Sequence, residues 1–269
     1  MLTHVFIFVF GAVIGSFLNV VILRYNTGES IFNSRSRCFS CGKKLAWYEL
    51  LPIASFLIQA GRCRKCKSKL SWQYPLIETT TGLLFLLIFL NLWKLNSHSF
   101  QTMGVQLPYI WLLISLLIVI AVYDLRHKII PNKIVWLFNI SALLFIFFDN
   151  WSLVENWSLK IENFAFDILS GLAFFSFFAI LWLVSKGKWM GFGDAKLALG
   201  LGWILGPEKT ILAFLFSFWL GAVFGIFLML FRGKKYGMKS QIPFGPFLVA
   251  GSLLAFFVNI NIMDWLYVL

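Results

Sequence analysis

The chain has 269 residues, of which 60% are hydrophobic and only 13% charged. Soluble domains carry about 25% charged residues, so an ordinary water-soluble globular protein is excluded. The net charge of +12 would suit nucleic acid. No basic module interleaved with aromatics accompanies it, so no nucleic-acid partner is expected.

Apolar runs of roughly 20 residues cross a bilayer as helices, and the chain has several. Leu2–Leu23 is the first. It has no basic segment before it and no small-residue cleavage site after it, so it reads as a retained span rather than a signal peptide. Gly11 and Gly15 stand four apart within it and permit close helix packing. Arg24–Pro75 is the only long polar stretch. Further spans are expected at Leu76–Trp93, Tyr109–Tyr123, Ile134–Phe148, Ala165–Val184, Leu197–Leu205, Thr210–Phe231 and Pro246–Leu266, about eight in all. No internal repeat or low-complexity tract is evident. The expected architecture is an all-α polytopic membrane protein with a small cytoplasmic four-cysteine domain, zinc-knuckle-like, between helices 1 and 2. Residues 1–23 form the first helix, 24–75 the cysteine-bearing domain and 76–269 a membrane domain of about seven helices.

Alternate loops share one side of the membrane. On one side lie Arg24–Pro75, Asp124–Lys133, Ser185–Lys196 and Arg232–Gln241, and they hold 20 of the 23 Lys and Arg. The bias of Lys and Arg toward cytoplasmic loops places these segments in the cytoplasm and both termini outside. The charge excess is therefore mainly topological.

All four cysteines fall in the first of these loops, as Cys38-Phe39-Ser40-Cys41 and Cys63-Arg64-Lys65-Cys66. Two Cys-x-x-Cys knuckles can supply four thiolates in a tetrahedron, which suits structural zinc. Four protein ligands leave no open position for catalysis at the metal. Free or redox-active thiols are an alternative, and disulfides are disfavoured in a reducing cytoplasm. A loop of about fifty residues buries little core, and a metal clip helps it fold.

The chain has five Asp. Asp149 and Asp264 belong to the external side, and Asp167 reads as a cap near the start of the fifth span. Asp124 closes one apolar run and Asp194 opens another, both at the cytoplasmic boundary. Each could merely pair with a local base, Arg126 or Lys128 for Asp124 and Lys196 for Asp194. Acids at a membrane edge are functional candidates, and Gly191 and Gly193 let the backbone turn sharply before Asp194. Ile130-Pro131-Asn132 should end the helix that carries Asp124. Two adjacent carboxylates share one proton, so one can draw a proton from water while the other protonates a leaving amine. Helix ends would favour Asp194 as the base and Asp124 as the acid.

An ordered set of motifs runs through nearly the whole chain. It includes Gly15-Ser16-Phe17-Leu18-Asn19-Val20, Trp47-Tyr48-Glu49-Leu50-Leu51-Pro52 and Tyr74-Pro75-Leu76-Ile77-Glu78. It also includes the cysteine pairs, Ile130-Pro131-Asn132, Gly191-Phe192-Gly193-Asp194-Ala195-Lys196-Leu197 and Pro243-Phe244-Gly245-Pro246-Phe247. In these the chain resembles the type IV prepilin peptidases, bifunctional enzymes of bacterial inner membranes. The resemblance implies an intramembrane aspartic protease of the Gly-x-Gly-Asp type with Asp124 and Asp194 catalytic. It implies removal of the basic leader of prepilins or pseudopilins after a glycine, as in type IV pilus and type II secretion systems. Methylation of the new N-terminus from S-adenosylmethionine then follows, associated with the cysteine-bearing region. Glu49 and Glu78 are candidate polar participants, and no Gly-rich nucleotide loop marks a methyl-donor site. A peptidase without methyltransferase activity, a transporter with two boundary acids and an inactive zinc-stabilised scaffold are the rival readings.

Overall fold

The computed structural model describes residues 2–31, 33–95, 100–153, 157–232 and 242–258. Its elements are helical: α1 (Leu2–Arg24), a 3-10 turn (Trp47–Glu49), α2 (Ala54–Ile58), α3 (Gln73–Leu95), α4 (Phe100–His127), α5 (Asn132–Leu153), α6 (Trp157–Ser185), α7 (Phe192–Arg232) and α8 (Gly245–Phe257). Among the described residues, five stretches are long and apolar enough to cross a membrane: Leu2–Arg24, Gln73–Lys94, Gln106–His127, Glu162–Ser185 and Phe192–Phe231. Asn132–Phe148 and Gly245–Phe257 are apolar but shorter.

The sixth and seventh expected spans both lie in α7, which holds two helices joined at a kink. Gly206 sits at φ 70°, ψ 178° between them, in a region essentially reserved for glycine. Pro207 follows, with its fixed φ and no N–H. An unbroken helix of 41 residues would be about 60 Å long, twice the hydrocarbon thickness. The eighth expected span is described as far as residue 258, and Asp264 and most of the basic segment Arg232–Gln241 fall outside the described residues. Asp167 is not a cap: α6 begins ten residues earlier, at Trp157, and a Cβ at Gly206 would come 3.0 Å from Asp167 Oδ1.

Two compact units are formed, Met1–Val119 and Ile120–Leu269. In the first, α1 packs on α3. The two glycines read in α1 serve this approach: a Cβ at Gly11 would lie 2.8 Å from Gly82 Cα, and one at Gly15 would lie 2.8 Å from Glu78 Cα. Side chains this small let backbones meet where apolar burial cannot drive association. Trp111 of α4 stacks on Phe85 at 4.8 Å and donates its indole N–H to the Phe85 carbonyl.

In the second unit, α6 and α7 pack together, α5 lies against both, and α8 packs on α7. Phe178 of α6 stacks parallel to Phe218 of α7, and Phe244 meets both rings. This aromatic cluster fixes the N-terminal end of α8, and with it Gly245.

The cysteine-bearing segment contains a repeat that residue-by-residue reading missed. Arg37-Cys38-x-x-Cys41-x-x-Lys44-Leu45-x-Trp47 recurs 25 positions on as Arg62-Cys63-x-x-Cys66-x-x-Lys69-Leu70-x-Trp72. Both copies fold alike. Cys38 N–H donates to Lys43 O and Cys63 N–H to Ser68 O, each at 2.9 Å. Arg37 bridges to Lys44 as Arg62 does to Lys69. Each turn closes on a left-handed residue, Gly42 at φ 68° and Lys67 at φ 58°. The residues between these shared positions differ, which obscures the repeat.

Candidate functional site

Asp124 lies in the last turn of α4, which ends at His127. Lys128 then adopts a left-handed conformation and donates its N–H to Asp124 O. Pro131 precedes α5, and its carbonyl accepts the N–H groups of Ile134 and Val135. The break expected from Ile130-Pro131-Asn132 is there. Asp194 lies in the first turn of α7, its N–H donating to Gly191 O at 3.2 Å.

Both carboxylates are buried, Asp124 at 4% exposure and Asp194 at 5%, and they lie within electrostatic reach of each other. Ile130 is the hinge of this arrangement. A Cβ at Gly193 would sit 2.8 Å from Ile130 Cβ, and one at Gly245 would sit 3.3 Å from Ile130 Cδ1 and 2.7 Å from Asp124 Oδ2. Two glycines thus let their chain segments close on one isoleucine. Gly245 N–H donates to Asp124 Oδ2. Asp194 Oδ1 is buried with no hydrogen-bond partner among the described residues. Buried carboxylate oxygens are normally satisfied, and an open one fits a group that meets substrate or water.

Lys196 does not serve as the local base for Asp194. Its Nζ donates to Asn132 Oδ1 at 3.0 Å and lies 5.3 Å from the Phe192 ring centre. Asn139 donates to the Lys196 carbonyl. These bonds tie the start of α5 to the start of α7, so the two motifs hold each other rather than either acid.

In the first unit, one sulfur from each of Cys38, Cys41, Cys63 and Cys66 lies within 4.8 Å of the other three. The Cys38 and Cys66 sulfurs are 3.8 Å apart. A tetrahedral site with Zn–S bonds of about 2.3 Å has an edge of about 3.8 Å, so the donor set fits a zinc-sized ion. The backbone N–H of Cys41 holds the Cys38 thiol down, to about 6, and the Ser68 hydroxyl lowers Cys66. Both effects favour thiolate, the ligating form.

Glu49 and Glu78 belong to this first unit, and the aspartates to the second. Lys43 Nζ donates to both Glu49 oxygens, at 2.8 and 3.0 Å, and Ala46 N–H donates to one. The ammonium first, then the N–H, holds the Glu49 carboxyl below its ordinary range. Glu78 accepts the Ile53 N–H at 2.7 Å. Sequence reading singled out Pro243-Phe244-Gly245-Pro246-Phe247 as a motif but had no signal for its contact with Asp124.

Two family models match the chain. The bacterial peptidase A24 N-terminal domain covers residues 9–92 and the type IV leader peptidase family covers residues 111–226. A prepilin leader peptidase/N-methyltransferase of Bacillus subtilis (strain 168) is 31% identical over 262 residues, 96% of this chain and 96% of that protein. The chain belongs to the type IV leader peptidase family. Proteins of the same name from Myxococcus xanthus (strain DK1622) and Legionella pneumophila are 34% and 30% identical, over 86% and 88% of this chain and 64% and 76% of theirs. No solved structure gives a significant match. The two matched segments separate the sites as the compact units do: the cysteines lie in the first and both aspartates in the second.

Proposed function

We propose that the chain is a prepilin leader peptidase and N-methyltransferase, with Asp124 and Asp194 as its catalytic pair. The observation that carries the reading is the burial of both acids within electrostatic reach of each other, with Asp194 Oδ1 left without a partner among the described residues. The pair holds one proton between them. The ionised member takes a proton from water, and the resulting hydroxide attacks the scissile carbonyl. The protonated member polarises that carbonyl and then gives its proton to the leaving amine. Peptide and water become acid and amine without a covalent intermediate. The helix ends favour an ionised Asp194, but the Gly245 N–H bond offsets the opposite effect at Asp124, so the roles belong to the pair.

A prepilin has a basic leader in the cytoplasm followed by an apolar helix in the membrane. Its scissile bond, after a glycine, then sits at the cytoplasmic boundary. The distribution of Lys and Arg supports placing both acids at that face of the inner membrane, with both termini outside. S-Adenosylmethionine, when bound, supplies the methyl group: the N–C bond to the new terminal amine forms as the C–S bond breaks, S-adenosylhomocysteine leaves and a proton passes to solvent. Cys38, Cys41, Cys63 and Cys66 would hold a structural zinc that braces the cytoplasmic domain.

Cleavage of a model prepilin in membranes tests the reading, with Asp124→Asn and Asp194→Asn beside the parent. Mass spectrometry of the product reports leader loss and added methyl. Each variant at normal protein levels should fail to cut. Normal cutting by either would overturn the paired-aspartate mechanism.

A further inference from the structure

The short helix α2 is pinned beside the end of a membrane span. Ile53 opens it at φ 60°, ψ −53°, a backbone conformation that β-branched residues rarely adopt. The Ile53 N–H donates to Glu78 at 2.7 Å, and that carboxylate is buried. Glu78 lies in the second turn of α3, inside the stretch Gln73–Lys94 that is long and apolar enough to cross a membrane. The bond therefore holds α2 level with the entry of that helix into the bilayer.

What α2 presents there is apolar. Leu57 is 67% exposed and Ile58 71%. Between them and α3, Phe56 is buried against the Trp72 ring at 5.0 Å, and Trp72, the residue before α3, is itself exposed. Gly61 makes room for this packing: it is left-handed at φ 65°, and a Cβ there would come 3.1 Å from the Phe56 ring. Leu51, whose carbonyl accepts the Ser55 N–H, adds to the exposed apolar surface. Exposed apolar residues gathered in one patch mark an interaction surface, and Trp concentrates at the membrane–water boundary.

The turn after α2 adds charge. Arg62, Arg64 and Lys65 are exposed, and no ion pair joins any of them among the described residues. Arg64 lies 5.0 Å from the Tyr48 ring centre. Residues 24–75 hold ten Lys and Arg against two acids, Glu29 and Glu49. A bilayer with anionic headgroups complements both features, since interfacial helices bind by burying apolar side chains at the acyl boundary while Lys and Arg meet the headgroups. The segment also leaves α1 and returns through α3, so both of its ends are already at the membrane. Lipid is within constant reach of α2, and a soluble partner is not.

We propose that α2 is an interfacial anchor. Leu51, Leu57, Ile58 and Trp72 enter the acyl–headgroup boundary, and Arg62, Arg64 and Lys65 bind anionic phospholipid headgroups. The anchor holds the cysteine-bearing segment down on the membrane surface. The proposal needs only the two spans and neither enzymatic activity.

Ile58→Trp places a reporter on the exposed side of α2, its emission read as the difference from the parent. With the full chain in nanodiscs of brominated phosphatidylglycerol, the added tryptophan should be quenched about twofold or more and emit further to the blue. Brominated phosphatidylcholine, or about 0.5 M salt, should weaken that quenching. A water-like, unquenched emission in the anionic lipid would overturn the proposal. Quenching that is equal in both lipids and indifferent to salt would also overturn it, because the basic residues would then recognise nothing. Hydrogen exchange on the parent gives a reading free of any substitution at α2. Residues 54–65 should exchange several times more slowly in phosphatidylglycerol than in phosphatidylcholine, and the combined change Arg62→Gln, Arg64→Gln and Lys65→Gln should erase the difference. Equal rates in the parent would overturn the anchor. If a model prepilin or a second copy of the chain shields the reporter where lipid does not, the surface is a protein interface and the proposal fails.

Discussion

The backbone N–H of Gly245 donates to Asp124 Oδ2 at 3.2 Å, joining residues 121 positions apart. Backbone donors cannot be removed by side-chain substitution, but they can be displaced. A Cβ on residue 245 would stand 2.7 Å from that oxygen, closer than packed carbons approach. Gly245→Ala must therefore push Asp124 away from its partner. Displacements of about 1 Å cost on the order of a hundredfold in rate. We expect kcat for leader cleavage to fall by about that factor with little change in protein level. Cleavage kinetics in proteoliposomes check this, and a parent-like rate would show that the contact positions nothing.

The break in α7 gives a second, purely conformational prediction. Gly206 holds φ 70°, ψ 178°, where other residues carry strain of about 1–3 kcal/mol. Its Cβ would also meet Asp167 Oδ1 at 3.0 Å. Gly206→Ala should lower stability by about 2 kcal/mol or more, whereas Pro207→Ala should cost well under that. Unfolding of both variants in detergent, followed by tryptophan fluorescence, separates them.

These two glycines also show what the sequence could carry. Hydropathy marked the apolar segments because membrane burial depends on local composition. It split α7 into two spans correctly in effect, since the Gly206-Pro207 step is a local conformational signal. The Gly-x-Gly-Asp stretch and the Cys-x-x-Cys pairs were legible because their spacing is the chemistry. Gly245 was legible as part of the Pro243–Phe247 motif but its role was not, since that is a contact made across 121 residues. Glu78 was visible as a candidate, but its place in a cleft with Glu29 and Glu49 follows only from how α1, α3 and the polar segment fold together.

The Glu49 ion pair gives a pH dependence with a definite sign. Lys43 and the Ala46 N–H depress the folded-state pKa of Glu49. Its stabilising effect is therefore complete above the unfolded pKa of about 4.3 and is lost as pH falls through the lower, folded value. In Glu49→Gln this acid-dependent part should vanish, leaving a less stable segment whose deficit relative to the parent shrinks below about pH 4. Cysteine titration is common to both proteins and cancels in the difference. Hydrogen exchange over residues 37–70 across a pH series measures it, and a deficit that grows toward acid would contradict the assignment.

The four-cysteine cluster should bind one zinc per chain, read by elemental analysis of the purified protein. Metal-linked folding makes binding energy into folding energy. Chelation or Cys38→Ser should therefore open both knuckles together. Trp47 and Trp72, at equivalent repeat positions, report on this by fluorescence, and protease should cut within residues 37–70. A chelated protein with the parent's spectrum and protease resistance would show that the knuckles stand without metal.

The repeat itself predicts an asymmetry between its two halves. Gly42 and Lys67 close equivalent turns with φ of 68° and 58°. A Cβ at Gly42 would touch nothing within 4 Å, so the difference between the halves is backbone strain alone. A side chain in the left-handed region costs about 1–2 kcal/mol, part of which glycine forfeits through its freer unfolded state. Lys67→Gly should therefore stabilise the second knuckle by about 0.5–1 kcal/mol, and Gly42→Lys should destabilise the first by a similar amount. Chelator-challenge midpoints of the zinc-loaded variants test both. Because neither residue supplies a sulfur, shifts of opposite sign would trace the effect to the turn, whereas losses in both would tie it to charge or metal access.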